Sequence, residues 1–250
     1  MPAGLATGAR AVAARAVPGR AFAAAMRAVY PRFEAELACL ADWAPHGGTA
    51  VDVGAWYGPW TARLASIAGR VVSIEPNPDL ARLVRAGCPG AEVVQAAASD
   101  HDGTARLWLP PGGRGAEGTA SLEHASGRPV TVPRVTIDGL RLADVRFIKI
   151  DVEGHEAAVL RGAEATIRRD APVLVLELET RHQRIEDIVG LLAGWGYAGT
   201  VMPGRAWLPL RDFDLAAHQR ENARVAARGL LGRLARPGER YVNLVRFRRD

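Results

Sequence analysis

Cysteine is scarce in this chain: Cys39 and Cys88 stand alone, in neither a metal-type spacing nor a disulfide framework. A reducing, cytoplasmic compartment is therefore the expectation. Long apolar runs are also missing. Charged or turn residues interrupt every hydrophobic stretch well short of the roughly 20 residues that a membrane-spanning helix needs, so no membrane partner is expected. Acidic residues are absent before Glu34, while Arg10, Arg15, Arg20, Arg27 and Arg32 lie among alanines, a composition that superficially matches an organelle transit peptide. The stretch lacks the compact apolar block and cleavage site of a secretory signal, and an amphipathic helical segment packed over the domain is the plainer reading. Lysine is nearly absent as well. Lys149 is the only one among 32 basic residues, and the arginines are scattered rather than massed with aromatics. The net charge of +5 thus reflects arginine on solvated faces, and a nucleic-acid partner is disfavoured.

With 250 residues, 48% of them hydrophobic and 24% charged, the chain can bury the core of one α/β domain with appendages but is short for two. Apolar residues recur at helical spacing over 21–43, ending near Pro45 and the Gly47-Gly48 pair. Strand-like runs at 49–53, 71–74, 92–97, 147–151 and 173–179 then alternate with helix-like segments at 59–68, 78–86, 154–167 and 185–195. Asn77 and Pro78 supply an N-cap and first turn for the second of these helices. Such alternation predicts right-handed βαβ units and a doubly wound, mostly parallel α/β sheet. Between the third and fourth strands, a β insertion over 104–135 is expected to form a hairpin around the Gly-rich, flexible stretch 110–118. Beyond a strand at 197–202, the Arg- and Ala-rich stretch 212–236 reads as a helical cap element. Residues 241–247 alternate like a strand returning antiparallel to the sheet edge. The expected division is an N-terminal helical segment or lid over 1–48 and a main domain over 49–250.

Two blocks carry chemistry. In Val51-Asp52-Val53-Gly54-Ala55-Trp56-Tyr57-Gly58 an acidic residue sits at a strand end, and two glycines frame a tight turn into a helix. Any α/β protein needs such a turn, but here Glu75-Pro76 follows the second strand, where a carboxylate can receive a ribose diol. Both nicotinamide and adenosylmethionine sites use that carboxylate. The G-x-G-x-x-G pattern that seats a pyrophosphate is missing, which argues against the dinucleotide. In the second block, Phe147-Ile148-Lys149-Ile150-Asp151-Val152-Glu153-Gly154-His155-Glu156, an apolar strand runs into carboxylates and a histidine before a helix whose first turn holds Glu156. Asp151, Glu153 and His155 are candidates for general-base chemistry, and the same set offers mixed ligands for a divalent metal. The plainer alternatives are a structural turn for the glycines, a solvent-facing position for His155 and a β-turn for the segment containing Asp100.

The succession VDVGAWYGPWT, VVSIEPNP, VVQAAASD, FIKIDVEGHEAAVLRGA and VLVLELE resembles the FkbM family of methyltransferases over about 49–199, most specifically in FIKIDVEGHE. The resemblance implies the class I adenosylmethionine-dependent fold with a seven-stranded sheet, and O-methylation of a hydroxyl on a small molecule, a natural product or a sugar. It further implies that Asp52, Gly54, Ala55, Trp56 and Gly58 shape the cofactor turn, that Glu75 and Pro76 hold the ribose, and that Ala97, Ala98, Ser99 and Asp100 border the adenine. Asp151, Glu153 and His155 then face the reacting methyl group, with Asp151 also on the cofactor. Trp56 departs from the small polar asparagine frequent in the family. Either it packs beside the cofactor or it closes the substrate pocket. A homo-oligomer is compatible with the sequence. The competing readings are a nicotinamide-dependent oxidoreductase and a catalytically inactive scaffold of the same fold.

Overall fold

The protein is described by a computed structural model covering residues 18–111, 118, 120–123, 127–226 and 240–249. Its elements run, in chain order, α1 (Gly19–Val29), α2 (Ala35–Ala38), α3 (Leu40–Trp43), β1 (Thr49–Val53), α4 (Pro59–Leu64), β2 (Arg70–Ile74), α5 (Pro78–Gly87), β3 (Ala91–Val94), β4 (Ala97–Ala98), β5 (Gly103–Leu109) and β6 (Arg128–Val135). They continue with β7 (Val145–Ile150), α6 (Glu156–Arg161), α7 (Glu164–Asp170), β8 (Val173–Glu177), α8 (Ile185–Gly194), β9 (Tyr197–Val201), β10 (Leu208–Pro209), α9 (Leu215–Ala226) and β11 (Leu244–Arg249).

The main sheet has the order β10-β9-β11-β8-β7-β1-β2-β3. Strands β3, β2, β1, β7 and β8 are mutually parallel, as the sequence alternation predicts. Alternate residues of each strand supply opposite faces. Val51, Val72, Ile148 and Leu174 point into a core with Ile167 and Leu192. Ala50, Val71, Phe147 and Val175 point the other way, onto Trp60, Trp43, Leu37 and Leu40. The N-terminal helices therefore cover one face of the sheet, and α1 packs through Ala23 and Met26 against Tyr57 and Leu80. Asn77 caps α5 as expected, its side chain accepting from Asp79 N at 3.0 Å.

Four expectations need correction. The sheet has eight strands rather than seven, because the chain after β9 turns back and lays Leu208 and Pro209 against Val201 and Thr200. A two-residue strand ending in proline fits only an edge and leaves no alternating pattern to read. Second, β11 is not at the edge: it inserts between β8 and β9, antiparallel to both. Third, the strand expected over 92–97 ends at Val94, and Ala97–Ala98 joins a separate three-stranded sheet beside the β5–β6 hairpin. Fourth, the helix expected over 154–167 is two helices. Gly162 lies against Ser99, and a Cβ there would meet the Ser99 carbonyl oxygen at 1.9 Å, so the chain bends where strand-connecting backbone crosses it. Of the expected flexible stretch 110–118 and the cap 212–236, residues 112–117 and 227–236 lie outside the described residues. Among the described residues no helix is long and apolar enough to cross a membrane. Cys39 and Cys88 are both free.

Candidate functional site

The turn after β1 is built by backbone conformation. Gly54 has φ +76°, and a Cβ there would lie 1.8 Å from the carbonyl oxygen of Asp151, so only glycine lets β1 and β7 end side by side. Trp56 also occupies the left-handed region, at φ 52°, which is strained for a bulky residue. That conformation aims its backbone N–H at Glu75 Oε2, 2.8 Å away. The other carboxylate oxygen of Glu75 accepts from Asn77 N at 2.9 Å. Glu75 is only 5% exposed. Burial pushes its carboxyl up to about 7, against the opposing pull of the Asn77 and Trp56 N–H groups. The indole of Trp56 packs on Tyr57 and Tyr30, with centroids 4.7 and 5.4 Å away. Its Nε1 is buried and has no hydrogen-bond partner among the described residues.

The end of β7 is organised around Lys149. Its ammonium donates to Gly54 O at 3.2 Å and Asp151 Oδ2 at 3.0 Å, and lies 3.8 Å from Asp52 Oδ1. Burial alone lowers the pKa of an ammonium, but the Asp151 and Asp52 carboxylates overcome it and hold Lys149 above the ordinary lysine range. Asp52 is fully buried and also accepts from Thr61 Oγ1 at 2.6 Å; burial raises its pKa and Lys149 opposes the rise. The next turn puts Glu153 at φ 49° and Gly154 at φ 97°. Glu156 caps this turn, accepting from Val152 N at 3.2 Å and Gly154 N at 3.3 Å. Glu153 meets His182 Nε2 at 3.1 Å. Both ring nitrogens of His155 are engaged: Nε2 is 2.9 Å from Ser99 Oγ and Nδ1 is 2.6 Å from Glu123 Oε1. Together with the bond from Ser121 Oγ to Glu153 O, at 3.2 Å, this fastens residues 120–123 onto the turn.

These groups surround a cavity of about 320 Å³ at the carboxyl ends of β1, β2, β7 and β8. Gly54, Ala55, Trp56, Glu75 and Pro76 form one wall, Ala97 and Ala98 with Leu107 a second, and Asp151, Glu153 and His155 a third. The remaining candidates stand behind the lining. Asp52 reaches it through Lys149, Gly58 is the left-handed residue that opens α4, and buried Ser99 holds His155. Asp100 points outward to His101 at 2.6 Å and Arg161 at 3.4 Å, and these contacts hold its carboxyl down at about 2. Among the described residues no group of three or more His, Cys, Asp or Glu side chains is arranged to hold a metal ion, and Asp151, Glu153 and His155 each turn to a different partner.

Sequence reasoning missed Lys149, Glu177, Glu179 and Asn243, all of which line the cavity. Lys149 carried a signal, as the single lysine of the chain placed inside an apolar strand. Glu177 ends β8 and Glu179 follows two residues later, and Asn243, from the approach to β11, donates to both: to Glu177 Oε1, and to Glu179 Oε1 at 3.1 Å. Tyr241 OH donates to Glu179 Oε2 at 2.5 Å.

A mostly parallel sheet whose order reverses at β1 defines a doubly wound α/β protein, and the carboxylate-lined cavity lies over that topological switch, where open sheets of this kind bind ligands. Residues 52–198, more than half of the chain, match the Methyltransferase FkbM domain, and the chain belongs to that family. A comparison with curated proteins found no match. Among solved structures, it is similar to the methyltransferase FkbM from Methylobacillus flagellatus KT, at 20% identity over 65% of this chain with a TM-score of 0.45. The chain spans 42% of that protein. It is also similar to a TehB-like SAM-dependent methyltransferase from Corynebacterium glutamicum, at 13% identity over 86% of this chain and 87% of the other, with a TM-score of 0.45. A precorrin-6y C5,15-methyltransferase from Geobacter metallireducens has 12% identity over 86% of each chain and a TM-score of 0.46.

Proposed function

We propose that this chain is an S-adenosylmethionine-dependent O-methyltransferase acting on a hydroxyl of a small molecule such as a natural product or sugar. The observation that carries the reading is Glu75. Its carboxylate closes the second strand, both oxygens are fixed by backbone N–H groups, and it lines the cavity, so its remaining lone pairs can accept a ribose diol. The donor set fits adenosylmethionine: Ala97, Ala98 and Leu107 offer an apolar slot to the adenine, and Asp151 presents negative charge to the opposite end. The cavity lies at the lower end of the range for small-molecule sites. When bound, the cofactor supplies an electrophilic methyl group on a sulfonium.

The residues of the chain do the rest by placement, since alignment of an oxygen nucleophile with that methyl lowers the barrier through proximity and orientation. Asp151, Glu153 and His155 form the wall against which the acceptor lies. Trp56 roofs the cofactor turn, its ring stacked with Tyr30 from the N-terminal segment. Among the described residues, the N-terminal helical segment, residues 118 and 120–123 and α9 form the lid that chooses the acceptor and excludes water, and Gly118, Ala120 and Leu122 line the cavity. Two free cysteines suit a cytoplasmic setting, and a homo-oligomer is compatible with the fold.

Isothermal titration with adenosylhomocysteine is the first test. Binding is expected for the wild type and lost in Glu75→Ala; a well-folded wild type that binds neither adenosylmethionine nor adenosylhomocysteine refutes the reading. Mass spectrometry of a metabolite pool incubated with methyl-labelled adenosylmethionine then identifies the acceptor, and label on nitrogen or carbon alone refutes O-methylation.

A further inference from the structure

Trp56 lines the cavity with one donor unused. Its backbone N–H is committed to Glu75, but its indole Nε1 is buried without a hydrogen-bond partner among the described residues. A buried N–H without an acceptor is destabilising, so such a group on a cavity wall points to a ligand that supplies one. Gly118 keeps the approach to this donor open: a Cβ there would stand 3.3 Å from Nε1, at hydrogen-bonding distance. Other side-chain donors around the cavity are taken. Lys149 donates to Gly54 O and Asp151 Oδ2 and faces Asp52, Arg181 lies 3.6 Å from Glu179 and 4.0 Å from Glu153, and Asn243 serves Glu177 and Glu179. The carboxylates on that side suit the cationic centres of a ligand and repel an anionic one. Adenosylmethionine brings both kinds: a sulfonium and an ammonium, and one carboxylate.

We propose that Trp56 Nε1 holds the carboxylate at the amino-acid end of the cofactor, so that one residue grips the ligand at two points. The inference rests on the methyltransferase reading above. Position in the chain favours this end of the ligand over the acceptor. Trp56 stands two residues after Gly54, and its backbone fixes the carboxyl group that receives the ribose, so its ring belongs to the turn beside which the methionyl chain leaves the ribose. A hydrogen bond to an ionised acceptor is about twice as strong as one between neutral groups, which suits a single N–H to an anion in a cavity whose cations are engaged. The left-handed backbone of Trp56, at φ 52°, then has a use. It turns the N–H to Glu75 while the ring stays fixed against Tyr57 and Tyr30, with centroids 4.7 and 5.4 Å away. Held on both sides of its sulfur, the ligand has its sulfonium aligned for an acceptor lying against Asp151, Glu153 and His155. Trp56 makes and breaks no covalent bond; its part is binding and alignment.

The test compares two ligands that differ only in that carboxylate, and it reads binding rather than turnover. Isothermal titration of the full chain near neutral pH is performed with adenosylhomocysteine and with its decarboxylated analogue, 5′-deoxy-5′-(3-aminopropylthio)adenosine, which keeps the nucleoside, the sulfur and the ammonium. Trp56→Phe removes the N–H and keeps an aromatic ring. It is expected to weaken adenosylhomocysteine about ten- to a hundredfold, the range for a hydrogen bond to a charged group, and to leave the analogue within about threefold of the wild type. The coupling between the two changes is the readout, because a loosened aromatic roof weakens both ligands alike. If Trp56→Phe weakens the analogue as much as adenosylhomocysteine, or leaves adenosylhomocysteine unaffected, the role of Trp56 is overturned and the methyltransferase reading stands. If neither ligand binds the wild type, both fall. Should Trp56→Phe fail to fold, Gly118→Ala decides by the same comparison: position 118 has no positive φ, and the added methyl keeps the indole but stands 3.3 Å from Nε1, so a selective loss of adenosylhomocysteine is expected again.

Discussion

Glu75→Gln preserves the shape of the side chain and removes its charge, which makes the energetic role of this carboxyl measurable. In the native state burial holds the group at about 7, against an ordinary 4.5. At about 1.4 kcal/mol per pH unit, keeping it ionised in the fold costs about 3 kcal/mol. The sign follows from where the proton binds. The native state holds it more tightly than the unfolded chain, so the wild type loses stability as pH rises from 4.5 to 7 and stays at the lower level above. The glutamine variant has no proton to lose. Its amide leaves one of the two N–H groups, from Trp56 or Asn77, facing an NH₂, a pH-independent penalty of about 1–3 kcal/mol. The expected signature is therefore a slope: unfolding free energy of the variant minus that of the wild type rises by about 3 kcal/mol between pH 4.5 and 8. Urea denaturation followed by tryptophan fluorescence, at half-unit pH intervals, reads it directly. Other raised carboxyls, such as Glu34, held up at about 7 chiefly by burial, titrate in both proteins and cancel. A difference that stays flat within about 1 kcal/mol refutes the assignment of the bound proton to Glu75.

Two substitutions examine the frame around the cavity. Gly54→Ala places a methyl 1.8 Å from the Asp151 carbonyl oxygen at φ +76°, so β1 and β7 must part; a loss of at least about 2–3 kcal/mol in chemical denaturation is expected, whereas Gly90→Ala, with nothing within 4 Å, should stay within about 0.5. Equal effects at the two positions contradict the argument. Lys149→Met leaves Asp52 and Asp151 without their buried cation and should cost about 3–5 kcal/mol at pH 8. The loss shrinks as pH falls and Asp52, whose pKa burial raises, takes up its proton, so calorimetric melting at pH 8 and pH 5 should show the larger deficit at pH 8; the reverse order excludes the ion-pair account.

The parallel half of the fold was legible because each strand there is a short apolar run bounded by turn chemistry, and the helices between them are amphipathic. The glycine turn and Glu75 were legible for the same reason: one residue type solves one local problem. What escaped the sequence depends on long-range partners. Ala97 and Ala98 look like the tail of β3 until β6 pairs with them, and Gly162 looks helical until the Ser99 carbonyl occupies the space beside it. Strand β11 alternates like any edge strand, and only the sheet decides that it lies inside. The acidic side of the site was hidden more deeply. Glu177 reads as a strand end, and its place in the cavity emerges only where the β7 register brings Asp151 alongside and a chain segment 66 residues away supplies Asn243. Trp56 was an open choice between packing on the cofactor and closing the pocket; its backbone serves Glu75 while its ring belongs to the aromatic roof.

The position of β11 also sets a hazard during assembly. Until residues 244–249 are in place, β8 presents the unpaired edge Val-Leu-Val-Leu-Glu, a hydrophobic template on which another chain can add a strand. Among the described residues, no strand that precedes β11 pairs with that edge, because β9 joins the sheet through β11. In the open state Glu177 and Glu179 stand at the end of the exposed run. The same carboxylates that share a cavity in the finished protein then act as charged gatekeepers against aggregation, so neutralising both should show first as insoluble protein, before any change at the site is measured.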